Sequence, residues 1–169
     1  MNAQSETRRI STGDVNSMRW HRRLWRYLPL VLWLALIFIG STNALSASNT
    51  SLIIEPLFKW LFPQITESEL ESVHFVVRKL GHFSEYAVLA LLAARAFLSS
   101  TRTLLRRRWF AVSLCLVAAY ALLDEYHQSF VPTRTASIKD SMIDIAGGAT
   151  ALLLLAWWRT YHLRPDRVR

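Results

Sequence analysis

The chain has 169 residues, 52% of them apolar, and a formal charge of +8. One cysteine, Cys115, inside an apolar run, excludes a disulfide framework and a cysteine-based zinc site. The positive charge invites a nucleic-acid partner, but basic and aromatic side chains do not interleave as on a nucleic-acid platform, so none is expected. The apolar residues instead gather into four blocks, and blocks of that kind point to a bilayer.

Residues 1–26 are polar and Arg-rich, ending in SMRWHRRLWR, and residues 1–13 have too little apolar surface to order. The first span is expected over 27–44, YLPLVLWLALIFIGSTNA, with Pro29 in its first turn, where the missing N–H costs little. A cleaved signal peptide is the competing reading, with Ala44-x-Ser46 as the cleavage site and Arg8-Arg9 as a weak twin-arginine pair. The long basic region and three further spans favour a retained helix.

LIIEPLFKWLF (52–62) carries Glu55 and Lys59 four apart, as an interfacial helix would. Thr66-x-x-Glu69 reads as a capping box, with Glu67, Glu69 and Glu71 suiting a helix N-terminus. That helix is expected to run into a second span, 81–98, with Gly81 as a bend. The third span is 109–126 and the fourth 138–161, leaving a basic tail at 162–169. The expected fold is all-α: an integral membrane four-helix bundle over 27–161, with an extracytoplasmic interfacial helix between spans one and two.

Residues 1–26, 95–108 and 159–169 hold fifteen of the twenty Lys and Arg but only three of the twelve acids. The positive-inside rule puts that face, and both termini, in the cytoplasm. Trp25, Tyr27, Trp109, Trp157, Trp158 and Tyr161 fall at the same interface, as an aromatic belt does. The charge is therefore a topology signal, and the polar motifs face outward.

Those motifs are two. In RKLGHFSEYAVL, Lys79, His82 and Tyr86 share a helical face, with Glu85 one turn off. In DEYHQSFVPTRTASIKDSMIDIAGG, Asp124, His127 and Gln128 share a face beside Glu125, and Asp140 and Asp144 lie one turn apart before Gly147-Gly148. Ionisable groups at this depth must face one another or a cavity. Asp144 needs a cation or a proton, which Arg134, Lys79 or His82 can supply. The glycines read as helix packing. Arg134 and Lys79, with Lys139, suit a phosphate or pyrophosphate, and His82 or His127 suits acid/base or nucleophilic work on it. A purely structural ion-pair network is the alternative. A divalent metal on the His and carboxylate groups is the weaker option, because no ligand spacing is specific, and neither metal nor cofactor is expected.

The same residues resemble the VanZ-like family of bacterial membrane proteins. Lys79, His82, Glu85 and Tyr86 match its Lys-x-x-His-x-x-Glu-Tyr pattern. Asp124, Glu125, His127, Gln128, Phe130 and Pro132 match its Asp-Glu-x-His-Gln-x-Phe-x-Pro pattern, which continues through Arg134 to Asp140, Asp144 and Gly148. Thr133 departs from the family, which commonly has Gly before the arginine. The resemblance spans roughly Tyr27–Trp157 and implies a small inner-membrane protein of a family named for teicoplanin resistance, with no settled reaction.

These readings converge on a multi-pass inner-membrane protein whose outer-face site recognises an anionic envelope component, a lipid-linked precursor or phospholipid headgroup; a link to glycopeptide tolerance is implied by the resemblance alone. Lys79, Tyr86, Gln128, Arg134, Asp140 and Asp144 are the expected binding residues; His82, Glu85, Asp124, Glu125 and His127 are the catalytic candidates of the rival reading, a hydrolase or transferase acting on a phosphorylated lipid. The third reading is a structural membrane protein with a non-catalytic network.

Overall fold

The computed structural model describes residues 12–41, 55–130 and 137–162, without the side chains of 12–19, 22 and 23. Every element among them is helical. In chain order these are α1 (Thr12–Gly40), α2 (residues 55–61), α3 (Glu67–Leu98), α4 (Thr103–Arg107), α5 (Trp109–Gln128) and α6 (Ile138–His162). The all-α expectation holds.

Thr66 caps α3 as the sequence predicts. Its side chain accepts from the Glu69 N–H, while the Glu69 carboxylate accepts from the Thr66 N–H at 2.9 Å. These bonds, the backbone one first, hold the Glu69 carboxyl below its ordinary range. The Glu55–Lys59 pair also forms, at 2.7 Å, and lowers Glu55 while raising Lys59. α3 then runs unbroken through Gly81 for 32 residues, which makes it the spine that α1, α5 and α6 pack against.

One expectation is corrected at the N-terminus. Helix α1 begins at Thr12, within the segment read as unstructured, and not near Tyr27. Low apolar content argued for disorder there, yet Arg, Met and Leu are good helix formers. Trp20, Leu24, Tyr27, Leu28 and Val31 also recur at helical spacing, so one stripe continues into the apolar part. Pro29 consequently lies inside the helix. It has no N–H for the carbonyl of Trp25, and Arg95 Nη2 from α3 donates to that oxygen at 3.3 Å.

Long-range bonds fix the arrangement. Tyr27 Oη donates to Ser100 Oγ at 3.3 Å, and Trp33 Nε1 donates to the Glu85 carbonyl at 3.0 Å. Residues early in α1 thus meet the end of α3 and later ones meet its middle, so the two helices are antiparallel. Tyr120 Oη reaches the Leu34 carbonyl at 2.5 Å and ties α5 to α1.

Glycine sets the closest approach. A Cβ on Gly147 would lie 2.2 Å from the Phe83 carbonyl oxygen, and one on Gly148 would meet Val117 Cγ1 at 2.6 Å. The packing role read from Gly147-Gly148 is therefore correct: α6 touches the α3 backbone directly. Ala90, Ala93 and Ala94 continue the small, fully buried face of α3.

The bundle is apolar on the outside. Its interior combines small residues and apolar side chains such as Leu89, Val117 and Leu152 with polar groups, including Asp124, Glu125, Gln128, Asp140, Ser141 and Asp144, while Leu32, Leu36, Leu91, Leu123, Leu153 and Leu154 are exposed. Large contiguous apolar surface marks contact with a partner or a membrane. Two helices, α5 and α6, are long and apolar enough to cross a membrane, and only 28% and 33% of their most apolar stretches are buried. The apolar part of α1, Leu24–Gly40, is shorter, and the corresponding part of α3 carries Glu85 and Arg95. Two of the four expected spans thus meet that criterion.

Candidate functional site

The site lies where α3 packs against the junction between the end of α5 and the start of α6. On α3, Arg78 and His82 are four residues apart, Lys79 and His82 three, and His82 and Tyr86 four, so all project to one side. The α5–α6 junction supplies the carboxylates. Its geometry is set by the Ser137 N–H donating to Glu125 Oε2 at 2.8 Å and the Asp140 N–H donating to the Ser137 carbonyl at 2.8 Å.

Asp140 is the mouth of the site. Lys79 Nζ bonds to its Oδ1, and Arg78 Nη2 reaches its Oδ2 at 3.3 Å. Lys79 also lies over the Phe75 ring, 5.2 Å from its centre. Arg78 keeps 47% of its side chain exposed against 15% for Lys79, so the cluster opens on the Arg78 side. Two cations share one carboxylate.

One turn deeper, His82 Nδ1 stands 3.5 Å from Asp144 Oδ1. That is ion-pair range but too long for a direct hydrogen bond. Asp144 is fully buried, and neither of its oxygens has a hydrogen-bond partner among the described residues. The same is true of the buried Tyr86 hydroxyl and of Glu125 Oε1. Such orphaned groups are costly in a packed interior, and several in one place mark a site.

Asp124 is satisfied structurally. The Ser41 hydroxyl from the end of α1 donates to Oδ1, and Gln128 Nε2 donates to Oδ2 at 2.8 Å. His127 turns away from these two and stacks on Phe38 of α1, with ring centres 4.5 Å apart. Glu85 is exposed, and its carbonyl serves the Trp33 indole.

Of the residues expected from sequence, then, Lys79, His82, Tyr86, Asp140 and Asp144 gather around one locus, with Glu125 anchoring the junction. Asp124 and Gln128 lock α1 to α5, His127 faces α1, and Glu85 lies at the rim. Arg134 and Thr133 fall outside the described residues, as does the Ala44–Ser46 cleavage reading. Arg78, Ser41 and Ser137 are not among the site residues expected from sequence. The four-residue spacing of Arg78 from His82 was the signal for the first; Ser41 and the Ser137 amide carry none, since tertiary packing alone brings them in. Among the described residues no group of three His, Cys, Asp or Glu is arranged to hold a metal ion.

An all-helical bundle with an apolar exterior and an ionisable cluster buried at one end defines a class of small helical proteins suited to a lipid environment. The model of the VanZ/LLP1 family matches residues 26–159, and the chain belongs to that family. The resemblance read from its two polar motifs is thereby borne out. No curated protein and no solved structure matches the chain.

Proposed function

We propose that this chain is a multi-pass protein of the bacterial cytoplasmic membrane whose site, at the outer end of the bundle, recognises the anionic headgroup of an envelope lipid or lipid-linked precursor. The excess of cations at the mouth carries this reading: Arg78 and Lys79 face a single carboxylate, and Arg78 is open to incoming ligand. A phosphate oxygen displaces one arm of Asp140 and takes a charge-assisted bond from Arg78. The distribution of Lys and Arg along the chain supports cytoplasmic termini and an outer-facing site. The shorter apolar parts of α1 and α3 complete the four spans, with Arg95 reaching back to the cytoplasmic interface. A link to glycopeptide tolerance rests on the family alone.

A second reading follows from His82. Nδ1 faces Asp144, which leaves the opposite ring nitrogen to serve as a base or nucleophile. That suits transfer or hydrolysis at a phosphorylated lipid.

The test uses detergent-purified protein, short-chain phosphatidic acid as probe, and the variants Arg78→Gln, Lys79→Gln, Arg134→Ala and His82→Ala. Recognition requires binding that Arg78→Gln and Lys79→Gln weaken by about tenfold, the worth of one charge-assisted contact, with no phosphate released. Phosphate release abolished in His82→Ala supports the second reading. Equal binding of phosphatidic acid and phosphatidylcholine by folded wild-type protein refutes headgroup recognition.

A further inference from the structure

We infer a second lipid site at the opposite end of the bundle, where α1 crosses the α3–α4 turn, suited to one anionic phospholipid. It rests on the membrane reading but not on the His82 site.

Three adjoining cavities form it. The first, about 380 Å³, is lined by Arg26, Tyr27, Ser100 and Arg102. The second, about 410 Å³, shares Arg26 and adds Trp25 and Arg95. The third, about 330 Å³, shares Tyr27 and is otherwise walled by Trp20, Leu24, Leu28 and Val31. A cationic compartment thus continues, across one tyrosine, into an apolar groove along α1. That is the profile of an amphiphile with an anionic head.

The head compartment is built. Ser100 is buried, and its Oγ accepts from both Tyr27 Oη at 3.3 Å and the Arg102 N–H at 3.2 Å, which fixes the turn carrying Arg102. Arg95 is held against α1 by its bond to the Trp25 carbonyl, the oxygen that Pro29 leaves without a helical donor. Arg26, Arg95 and Arg102 make no ion pair with a carboxylate among the described residues. Carboxylates with described side chains lie on α2, on α3 up to Glu85, at the end of α5 or at the start of α6, and none lies at this end. Three guanidinium groups with no carboxylate partner among the described residues, around a pocket at the cytoplasmic interface, form the kind of basic pocket that takes anionic phospholipid headgroups. The groove beside it receives an acyl chain, which a free phosphate does not need.

Binding is measured on full-length protein in neutral detergent with short-chain phosphatidylglycerol, phosphatidylcholine and inorganic phosphate as separate probes. Wild-type protein is expected to bind phosphatidylglycerol at least about tenfold more tightly than the other two. In an Arg78→Gln/Lys79→Gln background, which silences the site at the other end, that preference persists, and adding Arg26→Gln/Arg102→Gln abolishes it. A control, Arg106→Gln/Arg107→Gln, removes the same charge from residues outside the cavities and keeps it. Equal losses in the two double variants overturn the proposal in favour of diffuse attraction. Wild-type protein that binds inorganic phosphate as tightly as phosphatidylglycerol also overturns it, because the groove is then idle. The wild-type comparison needs no variant to fold, and failure at this end leaves binding that depends on Arg78 and Lys79 unaffected.

Discussion

Gly147→Ala tests the contact on which the site's geometry depends. A methyl group there lies 2.2 Å from the Phe83 carbonyl oxygen and 2.9 Å from its carbonyl carbon. Both atoms are backbone, so no side chain can rotate away. Ordinary contact at this position needs α6 to retreat from α3 by roughly 1 Å, and such overpacking costs about 1–3 kcal/mol. Asp144 is three residues upstream on the same helix, so the retreat also lengthens its 3.5 Å approach to His82. We expect a lower midpoint of thermal unfolding in detergent together with weakened headgroup binding. Gly81→Ala is the internal control, because a Cβ there meets nothing within 4 Å, and replacing a helical glycine with alanine is neutral or stabilising. Gly147→Ala protein with wild-type stability and binding would show that α3 and α6 do not meet in this register.

Further expectations concern single groups. Removing Asp140 as Asp140→Asn frees Arg78 and Lys79, so unfolding temperature should fall while affinity for phosphatidic acid rises; a fall in both would mean that Asp140 itself positions ligand. His82→Ala and Asp144→Ala should be non-additive in unfolding free energy by about 0.5–3 kcal/mol, as for groups in direct contact, and strict additivity would separate them. Thr66→Ala should speed amide exchange over residues 67–70, in line with a lost cap worth about 1 kcal/mol. Because the folded Glu69 carboxyl is held below its ordinary value, its share of this cap is complete above that value and disappears as pH falls through the lowered one. Protection at those amides, corrected for intrinsic exchange, should therefore decline on acidification in wild-type protein and less in Glu69→Gln.

Much of the architecture was legible because it is local. The Thr66–Glu69 cap, the Glu55–Lys59 pair and the apolar limits of α5 and α6 depend on residues a few positions apart, and each lies where the spacing put it. The start of α1 was missed for the opposite reason. Residues 1–13 offer too little apolar surface to signal order, and only the apolar stripe from Trp20 to Val31 shows that the helix continues. For the site, sequence named the participants but not the partners. Asp144 had Arg134, Lys79 and His82 as alternatives. The register of α6 against α3, set by Gly147 on Phe83, faces it with His82 and gives Lys79 to Asp140. His127 had the spacing to join Asp124 and Gln128, yet stacking on Phe38 takes it toward α1, a contact no helical spacing on α5 encodes.

The side of the membrane on which the site lies is the most direct test of the central claim. Ser129 is exposed at the end of α5, beside the residues that hold Asp124 and Glu125. In a Cys115→Ser background, Ser129→Cys is treated with a membrane-impermeant maleimide in intact cells whose outer barrier is open to small reagents. Labelling is expected without disruption of the cytoplasmic membrane. Labelling that occurs only after that membrane is permeabilised would place the site inside the cell and contradict recognition of an outer-face headgroup.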